Sequence, residues 1–315
     1  MKRSTLVILL ILGVVFVSMV VIVAVALLDS GNIAAGDGNT IAFIPLSGSI
    51  AEGQDASLFS SGPGITPTFV RHQLEEANDD PSVGAIILKI DSGGGAVGAS
   101  QEIAELVRDS DKPVIVFAGD TVASGAYYIA SQADKIVAKP GSLVGSIGVI
   151  SQIPDLSGLY AKLGIKIQTI KSGKNKDMFE RTLTPEERRK FQVLSDDAYV
   201  QFITDVARGR KLSKNKVKEL ATGEVFSASR ARKLGLVDEL GGYQKAVDAA
   251  AKVAHIEDPY VKEYRPPTLF EALFSGPGVQ IRDLVRMRVL GRDFLLLENI
   301  RNTYAAPQYR YYGGQ

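Results

Sequence analysis

Leu6 to Leu28 is a run of 23 residues without a charge, and it limits the chain's architecture more than any other feature. It is apolar on all sides, so it does not read as an amphipathic helix docked on a soluble core. As a helix it would extend roughly 34 Å, enough to cross a hydrocarbon layer of about 30 Å. Lys2 and Arg3 precede it, which predicts a cytoplasmic tip and an extracytoplasmic location for everything after Asp29. Ala24-Val25-Ala26 has the small-x-small look of a cleavage site, but the apolar part of a cleaved leader is usually only about 7–15 residues. The length favours an uncleaved anchor over residues 1–28 in a single-pass protein of the cell membrane.

Asp29 to Thr40 is small, polar and glycine-rich, as a flexible tether would be. The chain beyond this tether is long enough for one large α/β domain or two small ones. The formal charge is +1, and no basic stripe with interleaved aromatics occurs, which argues against a nucleic-acid partner. The absence of cysteine removes disulfides, thiolate nucleophiles and cysteine-metal sites together. His72 and His255 are the only histidines, which argues against a multi-histidine metal site, and no cofactor or metal is expected.

Ile41 to Leu46, Ala85 to Ile90, Val114 to Ala118 and Lys135 to Ala138 read as strands. Thr68 to Ala77 and Ala99 to Arg108 have helical spacing, and a helix is expected after Ser124. Thr184-Pro185-Glu186-Glu187 is a capping-box start for a helix running to about Arg208. Strands alternating with helices predict an α/β fold with a largely parallel sheet. The boundaries place this domain at 41–258, with an irregular extension and tail over 259–315.

Two glycine-containing turns follow strand ends, where α/β folds place their sites. In Ala123-Ser124-Gly125-Ala126, small neighbours leave the hydroxyl open to a substrate backbone, although a serine in such a local pattern more often just caps a helix. In Ser92-Gly93-Gly94-Gly95, three glycines permit unusual backbone angles and could supply an oxyanion N–H. No Gly-Lys-Ser/Thr follows, so a phosphate loop is not supported. A serine nucleophile needs a base, and the scarcity of histidine points to a lysine that can lose its charge by desolvation. Lys171, Lys174 and Lys176 are candidates that composition cannot rank.

These segments, in order, resemble the bacterial signal peptide peptidase A family, serine proteases of the Clp/crotonase fold with its repeated β-β-α superhelix. Residues 41–50 resemble the family's opening strand. Ile90-Asp91-Ser92-Gly93-Gly94-Gly95 resembles its glycine turn, and Ala123 to Tyr128 its nucleophile motif. Val144-Gly145-Ser146-Ile147-Gly148-Val149, Lys171 to Asp177 and residues 223–238 resemble three further motifs. The resemblance implies a Ser124–Lys176 dyad, with Ser146 orienting the lysine and N–H groups of Gly95 and Gly125 forming the oxyanion hole. It also implies short apolar peptide substrates, such as remnant signal peptides, and a ring-like homo-oligomer, with an octamer as one candidate. Serine and lysine of one site could then come from neighbouring subunits. Asp91 and Gly93 depart from the family's Asn and Pro, which predicts a looser turn and leaves Gly94 as a rival to Gly95.

Three alternatives stand beside this reading. A membrane protease that trims membrane-protein tails would share the dyad at another spacing. A crotonase-fold acyl-CoA enzyme would need paired carboxylates and a cytoplasmic cofactor. A non-catalytic scaffold would leave Ser124 inert to acylating probes.

Overall fold

The computed structural model describes residues 38–52, 64–179 and 181–264. The expected anchor at 6–28 and the tail after Tyr264 lie outside the described residues. Among the described residues, no helix is long and apolar enough to cross a membrane.

Eight strands form one mixed sheet: β1 (Thr40–Ser47), β2 (Val83–Ser92), β3 (Val114–Ala123), β4 (Lys135–Ala138), β5 (Leu143–Gly145), β6 (Val225–Ser227), β7 (Glu239–Leu240) and β8 (Tyr260–Glu263). The order along the main path is β6-β5-β3-β2-β1-β8, and β4 pairs with both β3 and β7. Every pairing is parallel except β5 with β6. A parallel sheet needs cover on both faces, and this explains the nearly unbroken apolar runs of β2 and β3.

Alternate residues along the strands divide between two cores. Ile44, Leu88, Val116 and their neighbours pack beneath α1 (Pro67–Asp79), α2 (Val97–Arg108) and α3 (Gly125–Ala130), joined by the later half of α5 (Pro185–Gly209). Ile41, Ile87, Ile115 and Val137 point the other way, against α8 (Tyr243–Ala254). Three short helices complete the set: α4 (Ser157–Lys162), α6 (Lys214–Leu220) and α7 (Ala228–Lys233). Truncating any of these fully buried isoleucines to alanine would typically cost about 2–5 kcal/mol.

Two differences from the sequence-based expectation matter. Tyr260–Glu263, expected to be irregular, forms edge strand β8 on β1, and Tyr264 is buried in the core. The ordered fold therefore continues past residue 258, where the sequence suggests that an extension begins. Strand β3 also runs five residues beyond Ala118, through Gly119-Asp120-Thr121, a stretch that resembles a turn. Its first half pairs with β4 and its end with β5. The register with β2 slips at this point, with Ile90 opposite Ala118 but Ser92 opposite Val122. Such a bulge re-aims a strand end.

Asp91 fills the bulge, and its carboxylate accepts the Thr121 N–H at 3.1 Å. A side chain at Gly119 would come within 2.7 Å of Asp91. The turn was expected to be looser with Asp91 and Gly93 in it; the Asp91 carboxylate instead ties β3 to β2.

Candidate active site

Ser124 follows the last residue of β3, with φ 52° and ψ −124°. That conformation belongs to glycine in the first central position of a type II′ turn, and a side chain there stores strain. Two hydrogen bonds hold it. Its N–H donates to the Gly145 carbonyl at 2.8 Å, and its own carbonyl accepts the Tyr128 N–H at 2.9 Å. Its hydroxyl makes no capping bond to α3. The helix-cap reading of this serine therefore has no support, and the half-exposed hydroxyl faces a cavity of about 80 Å³.

Gly94 explains how the glycine turn approaches this close. Its φ is +102°, and a Cβ on it would lie 2.7 Å from the Gly125 nitrogen and 2.9 Å from the Ser124 Cβ. Its N–H is already committed, donating to Ser92 Oγ at 3.0 Å. Gly95 is exposed, and its N–H has no acceptor among the described residues. The Gly95 nitrogen lies 3.3 Å from where a Cβ of Gly125 would stand. Gly125 opens α3, so its own N–H has no partner within the helix. Two uncommitted N–H groups therefore flank Ser124, and both belong to residues that cannot carry a side chain there. A Cβ on Gly95 would reach 2.0 Å from the Ile50 carbonyl oxygen, and one on Gly125 would reach 2.3 Å from Ser100 Oγ.

Ser146 stands next to Gly145 with φ 50°, half-exposed, its N–H donating to the Glu224 carbonyl at 2.8 Å. The structure thus gathers Ser124, Gly95, Gly125 and Ser146 at one end of β3 and β5. Lys176 is not with them. It is exposed, does not line the cavity at Ser124, and its ammonium pairs with none of the described residues. Neither histidine lines this cavity, and both are exposed.

Lys176 sits at the end of a long arm. From Ile150 to Lys174 every residue except Ile153 and Tyr160 is exposed, and only α4 is regular. Ile150 is 83% exposed and Ile170 fully so, with Leu163 and Ile167 also open. The arm returns to the body at α5, whose Thr184–Glu187 capping box forms as the sequence predicts. Glu187 lies eleven positions before Ala198, the first α5 residue to line the cavity at Ser124, which is about 16 Å of helix.

The cavity also contains groups that sequence reasoning missed. Tyr128 and Phe202 meet edge to face, ring centres 5.0 Å apart, as part of its lining. The Tyr128 hydroxyl donates to the buried Asp205 carboxylate, which also accepts from Gln201 at 2.7 Å and Arg208 at 2.6 Å. Burial first, then the Asp205 carboxylate, pushes the Tyr128 phenol well above its ordinary range. The spacing of Gln201, Asp205 and Arg208 on one helix was available in the sequence, which carried Tyr128 only as the end of the nucleophile motif and did not link it to Asp205.

Comparison with known proteins places the chain in a family. The model of peptidase family S49 matches residues 107–257. A Methanocaldococcus jannaschii protein provisionally named a protease is 36% identical over 270 residues, covering 82% of this chain and 85% of that one. An Enterococcus faecium protein provisionally named signal peptide peptidase SppA is 33% identical over 277 residues, covering 86% and 80%. Protease 4 of Salmonella typhi is 33% identical over 257 residues, 80% of this chain but only 41% of its own length. The chain therefore belongs to peptidase family S49, the signal peptide peptidase A-like serine peptidases.

Proposed function

We propose that this peptidase is a membrane-anchored endopeptidase in which Ser124 is the nucleophile and Lys176, supplied by a neighbouring copy, is the general base. The observation that carries the reading is the strained backbone of Ser124 between two uncommitted N–H groups, those of Gly95 and Gly125. Strain of this kind persists only where the surroundings over-determine it. The arm supports a base from another subunit, because it carries Lys176 away from Ser124 and exposes several large apolar side chains. Several large apolar side chains left exposed along one segment suit contact with another chain.

The chemistry follows from the groups present. An uncharged lysine amine takes the Ser124 proton as Oγ bonds to the peptide carbonyl carbon. The N–H groups of Gly95 and Gly125 meet the oxyanion, where losing one such donor typically costs roughly 2.7–4 kcal/mol of barrier. The resulting ammonium protonates the departing amine as the C–N bond breaks. Water, deprotonated by the same amine, then hydrolyses the ester and returns Ser124 to its resting form. Ser146 orients the lysine from beside Gly145.

The narrow cavity with its Tyr128 and Phe202 lining suits small apolar side chains, in keeping with extended apolar peptides such as remnant signal peptides. The Enterococcus relative carries that activity in its name. The anchor at 6–28 would hold the site outside the cytoplasmic membrane face, near such substrates. On this reading the sheet is one unit of a Clp/crotonase-type superhelix.

The test uses the full chain in detergent. Ser124→Ala and Lys176→Ala should each abolish peptide hydrolysis, and co-assembled mixtures of the two should recover part of it. Inactive mixtures would refute the shared site, and an active Lys176→Ala protein would refute the base assignment.

A further inference from the structure

Arg181, which lies outside all of the motifs above, uses all five of its N–H donors within a few residues of Lys176. Its Nε and Nη2 donate to the two oxygens of Asp177, both at 3.2 Å. Its Nη1 and Nη2 donate to the two oxygens of Glu187 at 3.0 and 2.8 Å, and Nη1 also reaches the Thr182 carbonyl at 3.2 Å. Asp177 is the residue next to Lys176, and Lys171 adds an ion pair to it at 2.6 Å. Glu187 is the acidic member of the capping box, accepting from the Thr184 N–H and hydroxyl at 2.9 Å each.

One planar guanidinium thus joins the segment bearing Lys176 to the first turn of the longest described helix. Further along, that helix lines the cavity at Ser124 and holds Asp205 against Tyr128. Lys174, Glu186 and Lys190 form an outer ion-pair group beside this cluster without joining it. Bidentate arginine–carboxylate pairs fix direction as well as distance, which a lysine at the same place could not do.

We propose that Arg181 is a positioning residue for the catalytic base: it clamps Asp177 to Glu187 and so sets the direction in which Lys176 leaves the arm. This rests on the reading of Lys176 as the base. The clamp has a clear purpose, because an exposed arm with little regular structure would otherwise carry the base on a slack tether. Glu187 and Asp177 serve the same end, one as anchor and the other as the handle beside the lysine.

Arg181→Lys, which keeps the charge and loses the fork, and Glu187→Gln are measured as full-length protein in detergent. Each should assemble to wild-type size, keep KM within about twofold and lose roughly 10- to 100-fold in kcat at neutral pH, the usual scale for a misaimed reacting group. The deficit should narrow as the pH is raised toward 10, because general-base catalysis uses the neutral amine and alkali supplies more of it to a misaimed base. Wild-type kcat and pH profile in both variants would overturn the proposal. So would a loss that follows only the fraction of protein titrated by a fluorophosphonate, with an unchanged pH profile, because that marks a folding defect. If Lys176→Ala keeps its turnover, the base assignment has failed instead, whatever Arg181 does.

Discussion

Replacing Ser124 by glycine and by alanine should separate strain from chemistry. Both variants remove the hydroxyl and should be inactive. They differ in backbone freedom: φ 52° with ψ −124° is open to glycine and costly for any residue with a Cβ. Strain of this kind is worth about 1–3 kcal/mol. Glycine also loosens the unfolded chain, which returns about 0.4–1 kcal/mol. The hydroxyl caps nothing, so its loss contributes little to either variant. The glycine form should therefore be more stable than the alanine form by about 0.5–2 kcal/mol. In a domain of this size, that is a rise of about 2–6 °C in melting temperature. Paired thermal melts of the two inactive proteins at equal concentration measure it. If the glycine form melts with or below the alanine form, Ser124 holds no strain, and the argument from its backbone fails.

Gly94→Ala should be worse than an ordinary glycine substitution. Its Cβ would press on the Gly125 nitrogen and the Ser124 Cβ at a positive φ, so a stability loss of about 2–4 kcal/mol should accompany loss of acylation by a fluorophosphonate. Tyr128→Phe leaves the buried Asp205 without one of its donors and should cost about 1–3 kcal/mol in a denaturant titration, while Ser124 still labels. Asp177 and Glu187 are both held at about 2, chiefly by Arg181, below the ordinary carboxylate value near about 4. Because their folded values are depressed, the clamp is intact above about pH 4 and is lost as the pH falls toward 2. Pepsin cleavage between residues 171 and 187 should therefore rise from pH 4 to pH 2, and Arg181→Ala should remove that rise; cleavage already maximal at pH 4 in the native protein would contradict the clamp.

Local signals carried much of the fold. The apolar runs of β1, β2 and β4 and the Thr184–Glu187 capping box declare themselves within a few residues, so they were legible. Strand β8 was not, because Tyr-Val-Lys-Glu is an edge segment whose partner lies more than two hundred positions earlier. The end of β3 was hidden for a related reason: Gly119-Asp120 reads as a turn until Asp91 is placed across from it. In the site, Ser124 and its glycines were visible as a pattern of small residues. That the Gly94 N–H is occupied while the Gly95 N–H is free depends on the Ser92 hydroxyl, which the pattern of small residues does not reveal. The arm was unreadable, since nothing in residues 150–174 says that their apolar side chains would be left uncovered by their own chain.

Ser124 is held through a relay that reaches far along the chain: its N–H to Gly145, and the neighbouring Ser146 N–H to Glu224. As the polypeptide is made, residues near 224 arrive a hundred positions after Ser124. Until then the turn at Ser124 has its bonds to Gly145 and Tyr128, but the segment that carries Gly145 is not yet tied down through Ser146. A nascent or prematurely ended chain would carry every atom of the Ser124 turn yet lack the distant brace behind Gly145.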